Sequence, residues 1–349
     1  MQERWTFPPP SRHKPGMRYI RPLLSISLVL MTAPVHADPE PQNVPFRLEY
    51  LEGLKPGSEP STEAEPSTEA EPTTVPEPAQ PAPGGDPAAI EEASGGRLGI
   101  ALVDSKGAML LGFNREERFA MCSTFKAPLA AAVLMGAEQN RYGMEGTLPI
   151  KQTDLLDYAP VVKANLAKGR MPIADLAKAA VQVSDNSAAN LLLPLVGGPQ
   201  GLTAFFRKHG DEVTRLDRTE PALNENALGD ERDTTSPAAM ATVMARLLFQ
   251  DMPAPAAAQL RGWLEGSTTG GKRIRAGLPA GWKAGDKTGS CGTAFNDVAV
   301  LRSPRGNDYV LAIYLDRPTV PDAKADATIA EATRAVMDML VRIDRGRGG

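Results

Sequence analysis

The apolar spacing of this 349-residue chain changes character twice, and that change confines the architecture more than any other feature. Leu98 to Val103 and Met109 to Phe113 are short apolar runs separated by Asp104-Ser105-Lys106-Gly107, the pattern of a β-hairpin. Two further strand candidates, Asp297 to Leu301 and Tyr309 to Leu315, flank a turn rich in Pro, Gly, Asn and Asp. Ala325 to Ile343 carries helical spacing, with Ile329, Val336, Leu340 and Ile343 toward one face. Between these ends, from about Ser123 to Leu264, the chain reads as helices. The expectation is an α/β (α+β) fold: one lobe assembled from both ends of the chain, with an all-helical lobe inserted between them.

The folded part is expected to span residues 87–345, followed by a disordered tail over 346–349. From Asp38 to Asp86 the composition shifts to Pro, Glu, Thr, Ser and Ala, and Glu-Pro-Ser-Thr-Glu-Ala occurs twice in succession from Glu59 to Ala70. Such a stretch is too poor in apolar residues to offset its ordering entropy, and reads as an extended acidic linker. Residues 1–37 read as a signal peptide. Basic residues up to Arg21 precede the apolar run Leu23 to Met31, and small residues surround Val35-His36-Ala37. The long charged stretch in front points to Met17 as an alternative start. Export to the periplasm is expected, with secretion as the alternative, and no integral membrane span in the mature protein.

A net charge of −4 gives no electrostatic footprint for nucleic acid. Of three histidines, His13 and His36 lie in the leader, so His209 alone cannot build a multi-histidine metal site or a Ser-His-Asp triad. It reads as a surface or helix-end residue. No metal and no organic cofactor is expected.

Three polar clusters carry the chemistry. Ser123-Thr124-Phe125-Lys126 opens a long apolar helix, and residues three apart share a helix face, so Lys126 can reach the Ser123 hydroxyl and activate it. By itself this pattern is weak, since Ser11 and Lys14 also match it. Ser184-Asp185-Asn186 precedes another apolar helix as an N-cap would, while offering a hydroxyl for proton relay and an amide for a substrate amide. Lys287-Thr288-Gly289-Ser290 reads as a strand. Its lysine and hydroxyls would bind a carboxylate, its glycine would let a substrate backbone approach, and Ser290 N–H would serve as an oxyanion donor beside that of Ser123.

In this order and spacing the three clusters resemble the serine penicillin-recognising enzymes, the β-lactamases and penicillin-binding proteins. Arg218-Thr219-Glu220-Pro221-Ala222-Leu223-Asn224, continuing to Asp233, resembles the omega loop of class A β-lactamases. That resemblance implies an antiparallel sheet flanked by N- and C-terminal helices. It also implies that Glu220 and Asn224 hold a deacylating water, that the Glu220-Pro221 bond is cis, and that Arg218 pairs with Asp233. Tyr158 matches the aromatic wall of the cleft, and Arg273 matches an arginine that helps bind the substrate carboxylate in some members. Val183 departs from the family, where an aromatic residue or Met is commoner, and the turn after Cys291 is short.

Only two cysteines exist, Cys122 beside the nucleophile and Cys291 two residues after the lysine-threonine-glycine cluster. If both clusters face one cleft, the two come close enough to bridge. A Cys122–Cys291 disulfide together with Ser290 and Arg273 resembles the carbapenem-hydrolysing members of class A. The expected activity is therefore hydrolysis of small-molecule β-lactams by a monomer through a Ser123 acyl-enzyme, possible substrates including carbapenems. A peptidoglycan transpeptidase or carboxypeptidase, or a β-lactam sensor, is the alternative, and neither needs Glu220.

Overall fold

Alternation of side chains along three strands builds the centre of the molecule. The computed structural model describes residues 85–346, so the signal-peptide and linker expectations for residues 1–84, and the tail beyond 346, lie outside the described residues. Five strands form one antiparallel sheet: β1 (Arg97–Asp104), β2 (Met109–Phe113), β3 (Lys283–Cys291), β4 (Ala294–Arg302) and β5 (Asp308–Asp316). Their order is β2-β1-β5-β4-β3, so strands from the two ends of the chain pair at the middle, with Ile100 opposite Ile313.

Because side chains on a strand point alternately to opposite faces, each strand feeds two cores. Ile100, Leu102, Leu311 and Ile313 face one, with Ile329, Val336 and Leu340 of the C-terminal helix and Ile90 of the first. Ala101, Val103, Val310, Ala312 and Tyr314 face the other, which is continuous with the helical lobe. The helices are α1 (Pro87–Ser94) and α8 (Asp322–Gly346) on the first face, and α2 (Lys126–Glu138), α3 (Ile173–Gln182), α4 (Asn186–Leu192), α5 (Gly198–Lys208), α6 (Pro237–Arg246) and α7 (Ala254–Glu265) between β2 and β3, with shorter helical turns among them. Nearly all of α2 is buried, Lys126 through Gly136, as its unbroken apolar sequence demands.

The fold is the expected one, with one difference in its partition. The insertion is not helical throughout: residues 211–233 form an irregular loop, Thr147–Pro149 pairs with Arg170–Pro172, and α6 packs back on β1 and β5. Period alone hid this, because α6 is apolar on the face it turns to the sheet and its helical pattern does not say which lobe receives it.

Candidate active site

Ser123 sits in a 3₁₀ turn, Cys122–Phe125, that runs directly into α2. Cys122 holds a left-handed backbone with φ +46°, an uncommon conformation for a side-chain-bearing residue that surrounding structure must enforce. The enforcement is visible. Cys122 is bridged to Cys291 with Cα atoms 5.7 Å apart, and Asn296 on β4 donates from Nδ2 to the carbonyls of Ala120 and Met121 at 2.8 and 3.3 Å. Gly289 lets β3 close on the same turn, since a Cβ there would lie 2.6 Å from the Met121 carbonyl oxygen. The glycine thus serves contact between β3 and the nucleophile's turn, a tighter constraint than the substrate approach that the sequence suggests.

Lys126 Nζ is the hub. It lies 2.9 Å from Ser123 Oγ, 3.0 Å from Glu220 Oε1 and 3.0 Å from the Ser184 carbonyl oxygen. Asn186 Oδ1 and Ser184 Oγ also contact it. An ammonium has three protons, so five oxygen neighbours cannot all accept from it at once. Burial is the largest influence on Lys126 and lowers its pKa, outweighing the attraction of Glu220 and Asp185. A lysine so placed can exist as a free amine whose lone pair accepts the serine proton.

Ser184, with φ +60°, stands between two lysines: Lys287 Nζ donates to its Oγ at 3.0 Å, and Lys126 Nζ lies 3.4 Å away. Asp185 caps α4 by accepting from Ala188 N at 2.9 Å, as the sequence suggests, and its other oxygen accepts from Val161 N and Val162 N. Asn186 donates its backbone N–H to the Tyr158 carbonyl at 3.0 Å, while the Tyr158 ring is half exposed at the rim. Lys287 is fully buried, and burial followed by repulsion from Lys126 pushes its pKa well down. Thr288 Oγ1 meets Thr269 Oγ1 at 2.7 Å.

Glu220 is buried with both oxygens engaged, Oε1 by Lys126 and Oε2 by Asn224 Nδ2 at 2.6 Å. The Glu220-Pro221 peptide is cis, and Arg218 Nε donates to Asp233 Oδ2 at 2.6 Å, which closes the base of the loop. Arg273 is buried: Nη2 donates to Ser290 Oγ at 2.6 Å, Nη1 to the carbonyls of Gly289 and Asn296, and Nε to Asp326. It therefore orients the Ser290 hydroxyl from beneath β3.

The sequence-derived residues are thus joined in one continuous set of contacts around Ser123 and Lys126. His209 does not join them: it caps the end of α5 as expected, but it is buried rather than superficial, with Nδ1 2.6 Å from Asp251 Oδ2. Asn190 was missed. Its Nδ2 donates to the Glu220 carbonyl at 2.8 Å and its Oδ1 accepts from Glu220 N at 3.0 Å, a two-point clamp on the backbone of the acidic residue. Its position four residues after Asn186, on the same face of α4, was the available signal. Among the described residues, no group of three or more His, Cys, Asp or Glu is arranged to hold a metal ion.

Fold and site together define a class A serine β-lactamase architecture. The chain belongs to the β-lactamase enzyme family, whose model matches residues 87–340. It is 47% identical over 291 residues to β-lactamase FAR-1 of Nocardia farcinica, covering 82% of this chain and 90% of that one. It is 42% identical to the carbapenem-hydrolyzing β-lactamase KPC of Klebsiella oxytoca, over 72% and 87% of the two chains. The structure of the class A β-lactamase of the last common ancestor of Gram-negative bacteria superposes with a TM-score of 0.71 at 47% identity, over 73% of this chain and 97% of that one. The crystal structure of a β-lactamase from Xanthomonas campestris gives 0.71 at 44%, over 73% and 96%.

Proposed function

We propose that this β-lactamase opens its substrate through a covalent Ser123 acyl-enzyme and frees itself with a water held by Glu220 and Asn224. The observation that carries this reading is the unbroken run Ser123 Oγ, Lys126 Nζ, Glu220 Oε1, with steps of 2.9 and 3.0 Å, and Asn224 on the far oxygen. The Ser123 proton passes to Lys126, or to Glu220 through a water, as Oγ attacks the lactam carbonyl. Backbone N–H groups of Ser123 and Ser290 hold the oxyanion. Ser184 Oγ passes a proton to the departing nitrogen and is resupplied from the lysines on either side. Lys287, Thr288 and Ser290 take the substrate carboxylate, with Arg273 fixing Ser290. Asn186 holds the substrate side-chain amide and Tyr158 walls the cleft. Glu220 then takes a proton from water, which attacks the ester; the acyl carbon–Oγ bond breaks and Ser123 Oγ is reprotonated from Lys126 or Glu220.

The substrate range includes carbapenems, supported by the Cys122–Cys291 bridge, the Arg273–Ser290 contact and the similarity to a relative whose name describes it as carbapenem-hydrolyzing. The enzyme acts as a monomer comprising residues 87–345, exported to the periplasm by the leader and carried behind the acidic linker. No helix among the described residues is long and apolar enough to cross a membrane.

Intact-protein mass, followed over seconds to minutes with a penicillin and a carbapenem in turn, tests the mechanism. An adduct on Ser123 that forms and disappears as the drug is consumed is the expected result. A persistent adduct would instead indicate a transpeptidase or sensor, and no adduct would overturn the assignment of Ser123.

The pH profile is a separate test. Lys287 binds carboxylate only when protonated, and its pKa is lowered, so rising pH removes the charge before an ordinary lysine would lose it. kcat/KM for a penicillin is expected to fall on the alkaline side through a rise in KM. Lys287→Arg, which stays charged, should move that limb to higher pH. An alkaline limb at the same pH in both proteins would remove Lys287 from this role.

A further inference from the structure

We propose that Asn226 is a positioning residue that ties the glutamate-bearing loop to the oxyanion strand and thereby sets the rate of deacylation. The proposal rests on the acyl-enzyme reading of the site.

Asn226 lies two residues beyond Asn224 and is held on both sides. Its Nδ2 donates to the Cys291 carbonyl at 3.2 Å, at the end of β3. Its own carbonyl accepts from Arg317 Nη2, just past the end of β5. Arg317 is itself fixed: Nη1 lies 3.0 and 2.8 Å from the two carboxylate oxygens of Asp316, and its backbone N–H donates to the Thr293 carbonyl at 2.8 Å. The remaining ties of the loop run to the nucleophile's turn, where Met121 N–H donates to the Asp233 carbonyl at 2.9 Å and Lys126 meets Glu220, to the helical lobe, or within the loop. Arg218 with Asp233 and Glu225 closes the loop on itself, and Asn190 fastens Glu220 to the helical lobe. Among the described residues, Asn226 is the point at which the loop is hydrogen-bonded to β3 and to the residue that follows β5.

Packing does not duplicate this tie. The segment that follows, residues 227–232, lines one side of an open pocket of about 350 Å³ also lined by Arg97, Arg118 and Arg317, and Leu228 is 79% exposed. None of residues 227–232 is buried, so directional bonds do more than packing to locate that arm. The residue that Asn226 grips is also half of the bridge to Cys122, the neighbour of Ser123. One side chain therefore links the nucleophile's turn, the strand carrying Ser290 and the loop carrying Asn224. Acylation needs the first two in register. Deacylation needs the third in register with them, since the water must sit between Asn224, Glu220 and the acyl carbon, where errors of an ångström are costly.

Cutting the tie should consequently slow the second half of the reaction more than the first. Asn226→Asp is the informative variant, because it keeps size and packing but cannot donate to the Cys291 carbonyl. Asn226→Ala removes both packing and donor, and Arg317→Ala removes the other grip. In stopped-flow and intact-mass measurements with a penicillin, all three are expected to lower the deacylation rate constant roughly five- to tenfold, the loss expected for one neutral hydrogen bond. The acylation rate constant should stay within about twofold, so that the steady-state fraction of acyl-enzyme rises and KM falls along with kcat. Glu220→Gln is run alongside. If Glu220→Gln accumulates adduct while Asn226→Asp behaves as the unaltered enzyme, or loses acylation and deacylation alike, Asn226 is not a positioning residue for deacylation. If Glu220→Gln accumulates none, the acyl-enzyme reading has failed instead.

Discussion

Glu220→Gln is expected to slow turnover of a penicillin by roughly 10²- to 10⁴-fold, the usual contribution of a positioned general base, while an adduct forms on Ser123 and persists. The substitution is close to isosteric, and the loop has the means to absorb it. Glu220 accepts from Asn224 Nδ2 on one oxygen and meets Lys126 on the other. Asn224 Oδ1 is buried without a partner, so a flipped Asn224 amide can accept from the new Gln N–H₂. The Asn190 clamp acts on the backbone of residue 220 and is unaffected by the side chain. The lost rate should therefore come from chemistry and not from collapse of the loop, and a thermal melt shifted by only a few degrees would support that.

The same variant separates two bases for acylation. Burial lowers the pKa of Lys126 more strongly than Glu220 raises it, so removing the carboxylate leaves Asp185 as the remaining opposing charge and tips the balance further toward the free amine. If Lys126 is the base, the burst of adduct in Glu220→Gln should be as fast as in the unaltered enzyme. A burst slowed in proportion to turnover would assign acylation to Glu220 acting through water. Rapid turnover by Glu220→Gln without an accumulating adduct would remove Glu220 from the mechanism altogether.

Much of this was legible from local spacing, because the chemistry is carried by short clusters whose geometry is set within one turn of helix or strand. Ser123 and Lys126 are three residues apart and meet at 2.9 Å, as helical spacing requires. The cap at Asp185 and the pairing of both chain ends into one sheet were likewise written in periodicity and turn residues. What spacing could not convey were contacts between distant segments chosen by shape. Asn190, Asn296 and Asn226 are three asparagines in three different elements, each holding a backbone group of another element. Asn190 carried one local hint, its place four residues after Asn186 on the same helix face, whereas Asn296 in a strand and Asn226 in a loop have no local signature for such a task. Gly289 carries a second constraint hidden for the same reason: a strand glycine announces a close approach, but the Met121 carbonyl that approaches it lies 168 residues earlier in the chain.

Loss of the Cys122–Cys291 bridge carries the largest expected effect on stability. The bridge joins residues 169 apart in sequence, and in the chain-entropy model closing so long a loop stabilises the folded state by up to about 5 kcal/mol. For a domain of this size that corresponds to a fall in Tm of roughly 10–20 °C. Cys122→Ser should approach this figure, and the double variant Cys122→Ala with Cys291→Ala should match it, which excludes a stray thiol as the cause. Activity should suffer beyond the loss of stability, because Cys122 keeps a left-handed backbone next to Ser123 and is pinned against β3 by this bond. Asn296 and Gly289 still hold the turn to the sheet when the bridge is gone, so a penicillin should continue to be hydrolysed at temperatures where the variant is folded. If turnover of a carbapenem depends on a tightly held oxyanion pair at Ser123 and Ser290, it should lose more. The measurement is the ratio of carbapenem to penicillin kcat/KM at a temperature well below the variant's Tm. A ratio that drops at least tenfold ties the bridge to substrate range; an unchanged ratio with a lowered Tm makes it a device of stability alone; and a Tm within two or three degrees of the unaltered enzyme contradicts both.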